Sequence, residues 1–146
     1  MTLYRGRVGG EPDDLMERIN RSLPVDIRLL PYDLRTNRAW AAELARIGIL
    51  SAAEEEAIAG ELDRCRDHWQ QGSFAELPPV EDVHSLVEKW LTDRLGPTGA
   101  RIHTGRSRND QVACDLHLYL LDALGGLARE TAALAGALAD LVEIHA

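Results

Sequence analysis

The sequence is poor in positive charge: 16 lysines and arginines stand against 24 aspartates and glutamates, a formal net charge of -8 over 146 residues. Without a basic excess to displace counterions from phosphate, the balance argues against non-specific nucleic-acid binding. Cysteine is equally scarce. Cys65 and Cys114 lie far apart, form no CxxC pair and follow nothing resembling a secretory leader, so two reduced thiols of a cytoplasmic protein are expected. No apolar run approaches the roughly 18 residues that a bilayer span requires, so no membrane association is expected. Internal repeats and low-complexity tracts are missing, and so is any sustained alternation of apolar and polar residues. With no pattern from which strands could be built, the expected fold class is all-α, and the length suits one domain burying roughly two thirds of its unfolded surface.

The first twenty residues, glycine-rich and charged (RGRVGGEPDD), read as a loose arm over residues 1–20. LMERIN has the makings of one or two helical turns. In RSLPVDIRLLPYD, Pro24 and Pro31 argue against one continuous helix, and an extended connection is expected there. From Asn37 the positions Ala39, Leu44 and Ile47 follow a helical period that Gly48 stops, and Ser51 with Glu54 forms a capping box opening a helix to about Arg66–Trp69. QQGSFAELPPVED reads as a loop. A further helix is expected from about Val80 to Arg94, ended by GPTG at 96–99. Trp40, Trp69 and Trp90 fall at helical positions and are expected to be core.

The last segment carries a heptad seam: Leu120, Leu124, Leu127, Thr131, Leu134, Leu138, Leu141 and His145 are spaced alternately four and three apart. A helix from Asn109 onward would run roughly 55 Å at 1.5 Å per residue, more than so small a chain can cover. Gly125 and Gly126 beside the seam imply close helix neighbours, since a mid-helix glycine otherwise costs about 1 kcal/mol. The sequence stops inside this helix without a cap, and is expected to be part of something larger.

Three polar constellations remain. TGRSRNDQ, residues 104–111, holds a turn glycine, two arginines and a suitable N-cap in Asn109 or Asp110, and none of it suits a core. It is either an ordinary solvated helix start or a site where Arg106, Arg108 and free helical N–H groups receive a carboxylate or phosphate. EDVHSLVE places His84 between Glu81 and Glu88. With no further ligands clustered near it, His84 is expected to be structural or solvated, and no metal site is expected. In SLPVD, Ser22 and Asp26 flank Pro24, and no GxSxG surrounds Ser22 to mark it as a nucleophile.

Taken together, DVH on a helix, the GPTGARIH linker, TGRSRNDQVACDLHLYL, SLPVDIRLLPYD and LARIGILSAAE resemble the argininosuccinate lyases of the aspartase/fumarase superfamily, from about Arg18 to the end. The resemblance implies the N-terminal portion of such a lyase: an N-terminal helical domain over residues 21–103, then a substrate loop and the start of a central bundle helix over 104–146. It implies β-elimination of argininosuccinate to arginine and fumarate in arginine biosynthesis, by a homotetramer without a cofactor. Carried over position by position, Ser22, Asp26, Asp82, His84, Arg108 and Asn109 are similar to substrate-binding residues, with Thr104, Arg106, Ser107 and Gln111 supporting the loop. Two departures stand out. NRAWA at 37–41 puts Trp40 where the family has a histidine, and the family's threonine-histidine motif and GSSxMPxKxN loop, with the catalytic serine, are not in the sequence. No catalytic acid or base is therefore expected before Ala146, and the chain alone is expected to be inactive, as a fragment or one half of a split lyase. The alternatives are a non-catalytic helical module that assembles with lyase-like subunits, and a lyase for another succinyl adduct.

Overall fold

The computed structural model describes residues 14–74 and 79–145; residues 1–13 of the expected arm and 75–78 of the expected loop lie outside them. The described residues form helices and contain no strand, as the missing alternation predicts. Helix α1 spans Asp14–Asn20, α2 Leu23–Asp26, α3 Leu30–Arg46, α4 Ala52–Gln70, α5 Val83–Leu95, α6 Pro97–Ala100 and α7 Arg108–His145, with single 3-10 turns at Ile27–Leu29 and Arg101–His103.

The segment expected to be extended is helical. Pro24 and Pro31 sit in the first turns of α2 and α3, where an N–H has no intrahelical acceptor and a fixed φ already suits a helix. These prolines open helices instead of breaking one, and α3 accordingly begins at Leu30, seven residues ahead of the expected Asn37. Its end is as expected: Gly48 follows it at φ 80, a left-handed conformation that glycine adopts without a Cβ clash. The capping box of α4 is formed, with Glu54 N–H donating to Ser51 Oγ at 3.3 Å and Ser51 N–H donating to Glu54 Oε2 at 2.8 Å. Helix α5 starts at Val83, later than the expected Val80, because Asp82 is its cap and accepts the Ser85 N–H at 2.6 Å.

Helix α3 lies at the centre and packs against α4, α5 and the start of α7. The core between them is aliphatic, built on Leu30, Leu44, Ile58, Leu62, Leu91 and Ile102. Trp40, Trp69 and Trp90 are half-buried against it. Arg101 fixes the chain ahead of the 104–111 loop by donating to Glu54 Oε1 at 2.5 Å and to the Ile49 carbonyl. Helix α7 is 38 residues long, and only its beginning is covered; from Leu127 onward every described side chain is exposed. Among the described residues no helix is long and apolar enough to cross a membrane.

The turn from α5 into α6 depends on Gly99. A Cβ there would stand 2.3 Å from the Leu91 carbonyl oxygen and 2.8 Å from the Thr92 nitrogen, both backbone atoms that no side-chain rotation can move. Gly99→Ala is expected to destabilise the fold by about 2 kcal/mol or more, read as a lower urea midpoint. An unchanged midpoint would mean that α6 shifts freely.

Candidate active site

The Ser22 to Asp26 turn is tied to the start of α5. Ser22 Oγ donates to Asp26 Oδ2 at 2.6 Å, and Asp26 Oδ1 accepts the Val83 N–H at 3.1 Å. The Glu81 carbonyl accepts the N–H groups of Ser22 and Leu23 at 2.9 and 3.1 Å. Ser22, Asp26 and the Asp82 cap thus meet in one corner although the chain between them is long. His84, the second residue of α5, is buried in the interior.

There His84 is not alone. Its Nδ1 lies 3.0 Å from Asp33 Oδ1 and 3.3 Å from Asp115 Oδ2, and the three side chains are 3 %, 0 % and 0 % exposed. The structural or solvated histidine expected from local sequence is therefore the middle of a buried carboxylate–imidazole–carboxylate group drawn from α3, α5 and α7. Glu88, the other acid of that stretch, turns to Arg108, whose Nη2 it accepts at 2.7 Å.

Asp33 gathers further donors. Asn37 Nδ2 donates to its Oδ2 at 2.9 Å, and Gln111 Nε2 donates to its Oδ1. Each carboxamide then accepts an arginine on its oxygen: Arg106 Nη2 to Asn37 at 2.6 Å, and Arg108 Nη1 to Gln111 at 2.7 Å. Thr36 Oγ1 donates to Asp115 Oδ1 at 2.5 Å. Gln111, read from sequence as part of a wholly polar surface loop, is 1 % exposed. Burying the Asp33 carboxylate and the two carboxamides is tolerated because each is paired.

The helix start also differs from expectation. Helix α7 begins at Arg108, and its cap is Ser107, not Asn109 or Asp110. Ser107 Oγ accepts the Asn109 N–H at 3.2 Å and Asp110 Oδ2 accepts the Ser107 N–H at 3.2 Å, a reciprocal arrangement. The exposed Asn109 side chain is left free of capping duty. Trp40 braces the same loop, donating from Nε1 to the Thr104 carbonyl at 3.2 Å. Arg106 and Arg108 keep donors in reserve: Nε and Nη1 of Arg106 and Nε of Arg108 are buried without a protein partner.

Burial pushes the Asp33 carboxyl up, to about 6, against the opposing pull of His84. Burial alone would lower the His84 imidazole, but its bonds to Asp115 and Asp33 outweigh that and raise it to about 9. Burial also holds the Arg106 guanidinium below its ordinary value, the state of a desolvated cation that an anion would relieve. Asp33, His84 and Asp115 offer ligand atoms within 4.8 Å of one another, the one such group among the described residues. Three of its four carboxylate oxygens already accept from Asn37, Gln111, Thr36 and His84, donors that a metal ion would have to displace, while Asp115 Oδ2 has no hydrogen-bond partner. The chemistry of the set is that of a proton-sharing network.

A pH dependence follows. The folded value of His84, near 9, lies above the ordinary 6.5, so its stabilising contribution is complete below about pH 6.5 and is lost as pH rises through 9. Asp33, also raised, acts in the same direction at lower pH, between 3.8 and about 6. Urea unfolding is expected to weaken by up to about 3 kcal/mol between pH 6.5 and 9. His84→Asn should flatten that slope, and an equally steep slope in the variant would place its origin elsewhere.

The family model described as lyase matches residues 6–146. The chain belongs to the lyase family. The chain is 43% identical over 143 residues to the argininosuccinate lyase of Desulforudis audaxviator, covering 98% of this chain and 31% of that protein. It is 42% identical over 145 residues to the argininosuccinate lyase of Frankia casuarinae, 99% and 31% of the two chains. The corresponding values for that of Chlamydomonas reinhardtii are 40% over 141 residues, 97% and 30%. The chain thus spans a little under a third of the length of these relatives.

The expected site residues fall into two groups: Ser22, Asp26 and Asp82 at the start of α5, and His84, Arg106, Arg108 and Gln111, which bond to Asp33 and Asn37 of α3, to Asp115 of α7 or to Glu88 of α5. Thr104, Ser107 and Asn109 lie exposed on the loop. Sequence reasoning did not single out Asp33, Asn37 or Asp115. The available signal was an acid and an amide one turn apart on α3, and an acid one turn after Gln111.

Proposed function

We propose that this chain forms one face of the active site of a carbon–nitrogen lyase of the argininosuccinate type, occurring as the N-terminal part of such an enzyme. The observation that carries the reading is the pair of guanidinium groups held beside the start of α7 with buried N–H donors unspent. β-Elimination removes a proton from the carbon beside a carboxylate. The electron pair first enters that carboxylate, giving an aci-carboxylate dianion, and then forms the carbon–carbon double bond as the carbon–nitrogen bond breaks and the leaving nitrogen takes a proton. Charge peaks on carboxylate oxygens, where fixed cationic donors stabilise the transition state more than the substrate.

In this reading Arg108 and Asn109 bind the carboxylates of a succinyl-type substrate, with argininosuccinate favoured by the relatives. Ser22 and Asp26 contact its other end, and Asp82 and His84 border the pocket. Thr104, Arg106, Ser107 and Gln111 hold the loop. No metal or cofactor takes part, and the acid and base come from outside these residues, since the GSSxMPxKxN loop is not in the sequence. The exposed seam of α7 supports self-association, or assembly with complementary lyase subunits, into a helical bundle. The two free thiols suit the cytoplasm. Trp40 is engaged in holding Thr104, which gives its place at the family's histidine position a structural use.

The test is fumarate absorbance. The purified chain given argininosuccinate is expected to release none, and to do so once mixed with a polypeptide that carries the GSSxMPxKxN loop. Release by the chain alone, at an enzyme-like rate that survives further purification, would contradict the assignment of acid and base.

A further inference from the structure

We propose that Asp33 is a positioning residue that aims both arginines of the 104–111 loop, acting on them through the carboxamides of Asn37 and Gln111. Its value to a substrate rests on the function proposed above; the geometry does not. A carboxylate only accepts hydrogen bonds, a guanidinium only donates them, and a carboxamide has one end of each kind. Asn37 stands between Asp33 Oδ2 at 2.9 Å and Arg106 Nη2 at 2.6 Å, and Gln111 between Asp33 Oδ1 and Arg108 Nη1, the latter 2.7 Å away. Both amides are therefore polarised the same way, nitrogen toward Asp33 and oxygen toward an arginine. Neither can turn over without setting acceptor against acceptor at Asp33 and donor against donor at its arginine.

Asp33 is itself immobilised. It is 0 % exposed, and His84 Nδ1 holds its Oδ1 at 3.0 Å. Each arginine is thereby gripped at a terminal nitrogen, and the Nε of each remains unpartnered. One buried carboxylate on α3 thus fixes the direction in which two spare donors of a distant loop are presented. It needs no contact with the ligand. Preorganisation of this kind is what lets a cationic site act on developing charge without reorganising.

The arginine side chains can be read directly from the Nε–Hε signals of the 15N-labelled full chain, with thermal melting to establish that each variant is folded. In Asp33→Leu, which removes both acceptor oxygens, the Arg106 and Arg108 signals are expected to leave their wild-type positions while those of Arg38 and Arg101 stay. Asn37→Ala should move Arg106 and spare Arg108, and Gln111→Ala should do the reverse. Succinate, titrated as a simple dicarboxylate, is expected to bind about tenfold more weakly to Asp33→Leu. A folded Asp33→Leu that leaves both arginine signals in place would overturn the proposal by reducing Asp33 to a packing residue. So would an Asn37→Ala that moves Arg108 as far as Arg106, and these two arm variants decide the matter if Asp33→Leu does not fold. Failure of the wild-type chain to bind succinate would count against the proposed function, while the arginine signals would still test the role of Asp33.

Discussion

Fumarate release by the completed lyase, this chain paired with a polypeptide bearing the GSSxMPxKxN loop, is expected to fall about a hundredfold when Arg108 is replaced by glutamine, the loss typical of removing one preorganised donor from a developing oxyanion. The expectation follows from how Arg108 is held. It is anchored to Gln111 and Glu88 at 2.7 Å each, which leaves the buried Nε without a protein partner. Asn109→Asp is the sharper test of the same site. Because Ser107 caps α7, the substitution leaves the helix start alone, and it adds a negative charge in the helix's first turn, where the backbone tolerates one well. Any loss of activity then reports repulsion of a substrate carboxylate, and near-full activity would mean that the loop merely starts a helix. Cys65→Ser and Cys114→Ser serve as controls. Burial pushes the Cys65 thiol up to about 12, so it stays protonated at neutral pH and can supply no thiolate, and its replacement should alter stability at most.

The second large effect concerns assembly. The wild-type chain is expected to self-associate at micromolar concentration, and Leu127→Asp with Leu134→Asp to leave it a monomer in sedimentation. On α7, Leu124, Leu127, Leu134, Leu138 and Leu141 are 50–62% exposed and recur at the three- and four-residue spacing of a packing seam. Fully burying one leucine contributes roughly 1.5–3 kcal/mol, so several in register form a contact that two desolvated aspartates would abolish. Glycine makes the same point locally. Gly125 and Gly126 have only Arg129 of their own helix within 4.0 Å of where a Cβ would stand, so the space beside them is open to a neighbouring helix. A monodisperse wild-type monomer, or an oligomer indifferent to both aspartates, would overturn the assembly reading.

Much of the fold was legible because the signals involved are local. The α4 capping box, the glycine after α3 and the leucine spacing of α7 each depend on residues within a turn or two of one another, and the structure contains all three. Errors arose where one residue type admits two local outcomes. Pro24 and Pro31 were compatible with an extended chain or with helix starts, and packing of Leu23 and Leu30 into the core, both 0 % exposed, selects the helices. Asn109 and Asp110 were the expected caps of α7, but the helix starts one residue earlier and Ser107 caps it, in reciprocal bonds with the Asn109 N–H and the Asp110 carboxylate.

The chain's family membership was legible in TGRSRNDQ and DVH. Their arrangement was not. Asp33 is 51 residues from His84 and 78 from Gln111, and Thr36 is 79 from Asp115. No periodicity connects positions so far apart. A carboxylate or an amide on a helix face looks the same in sequence whether it meets water or a partner, because its cost or benefit is set by desolvation and by the donor brought opposite it. Only the packing of α3, α5 and α7 supplies those donors, and with them it turns a histidine that looked solitary into the centre of a buried network and two loop arginines into fixed ones.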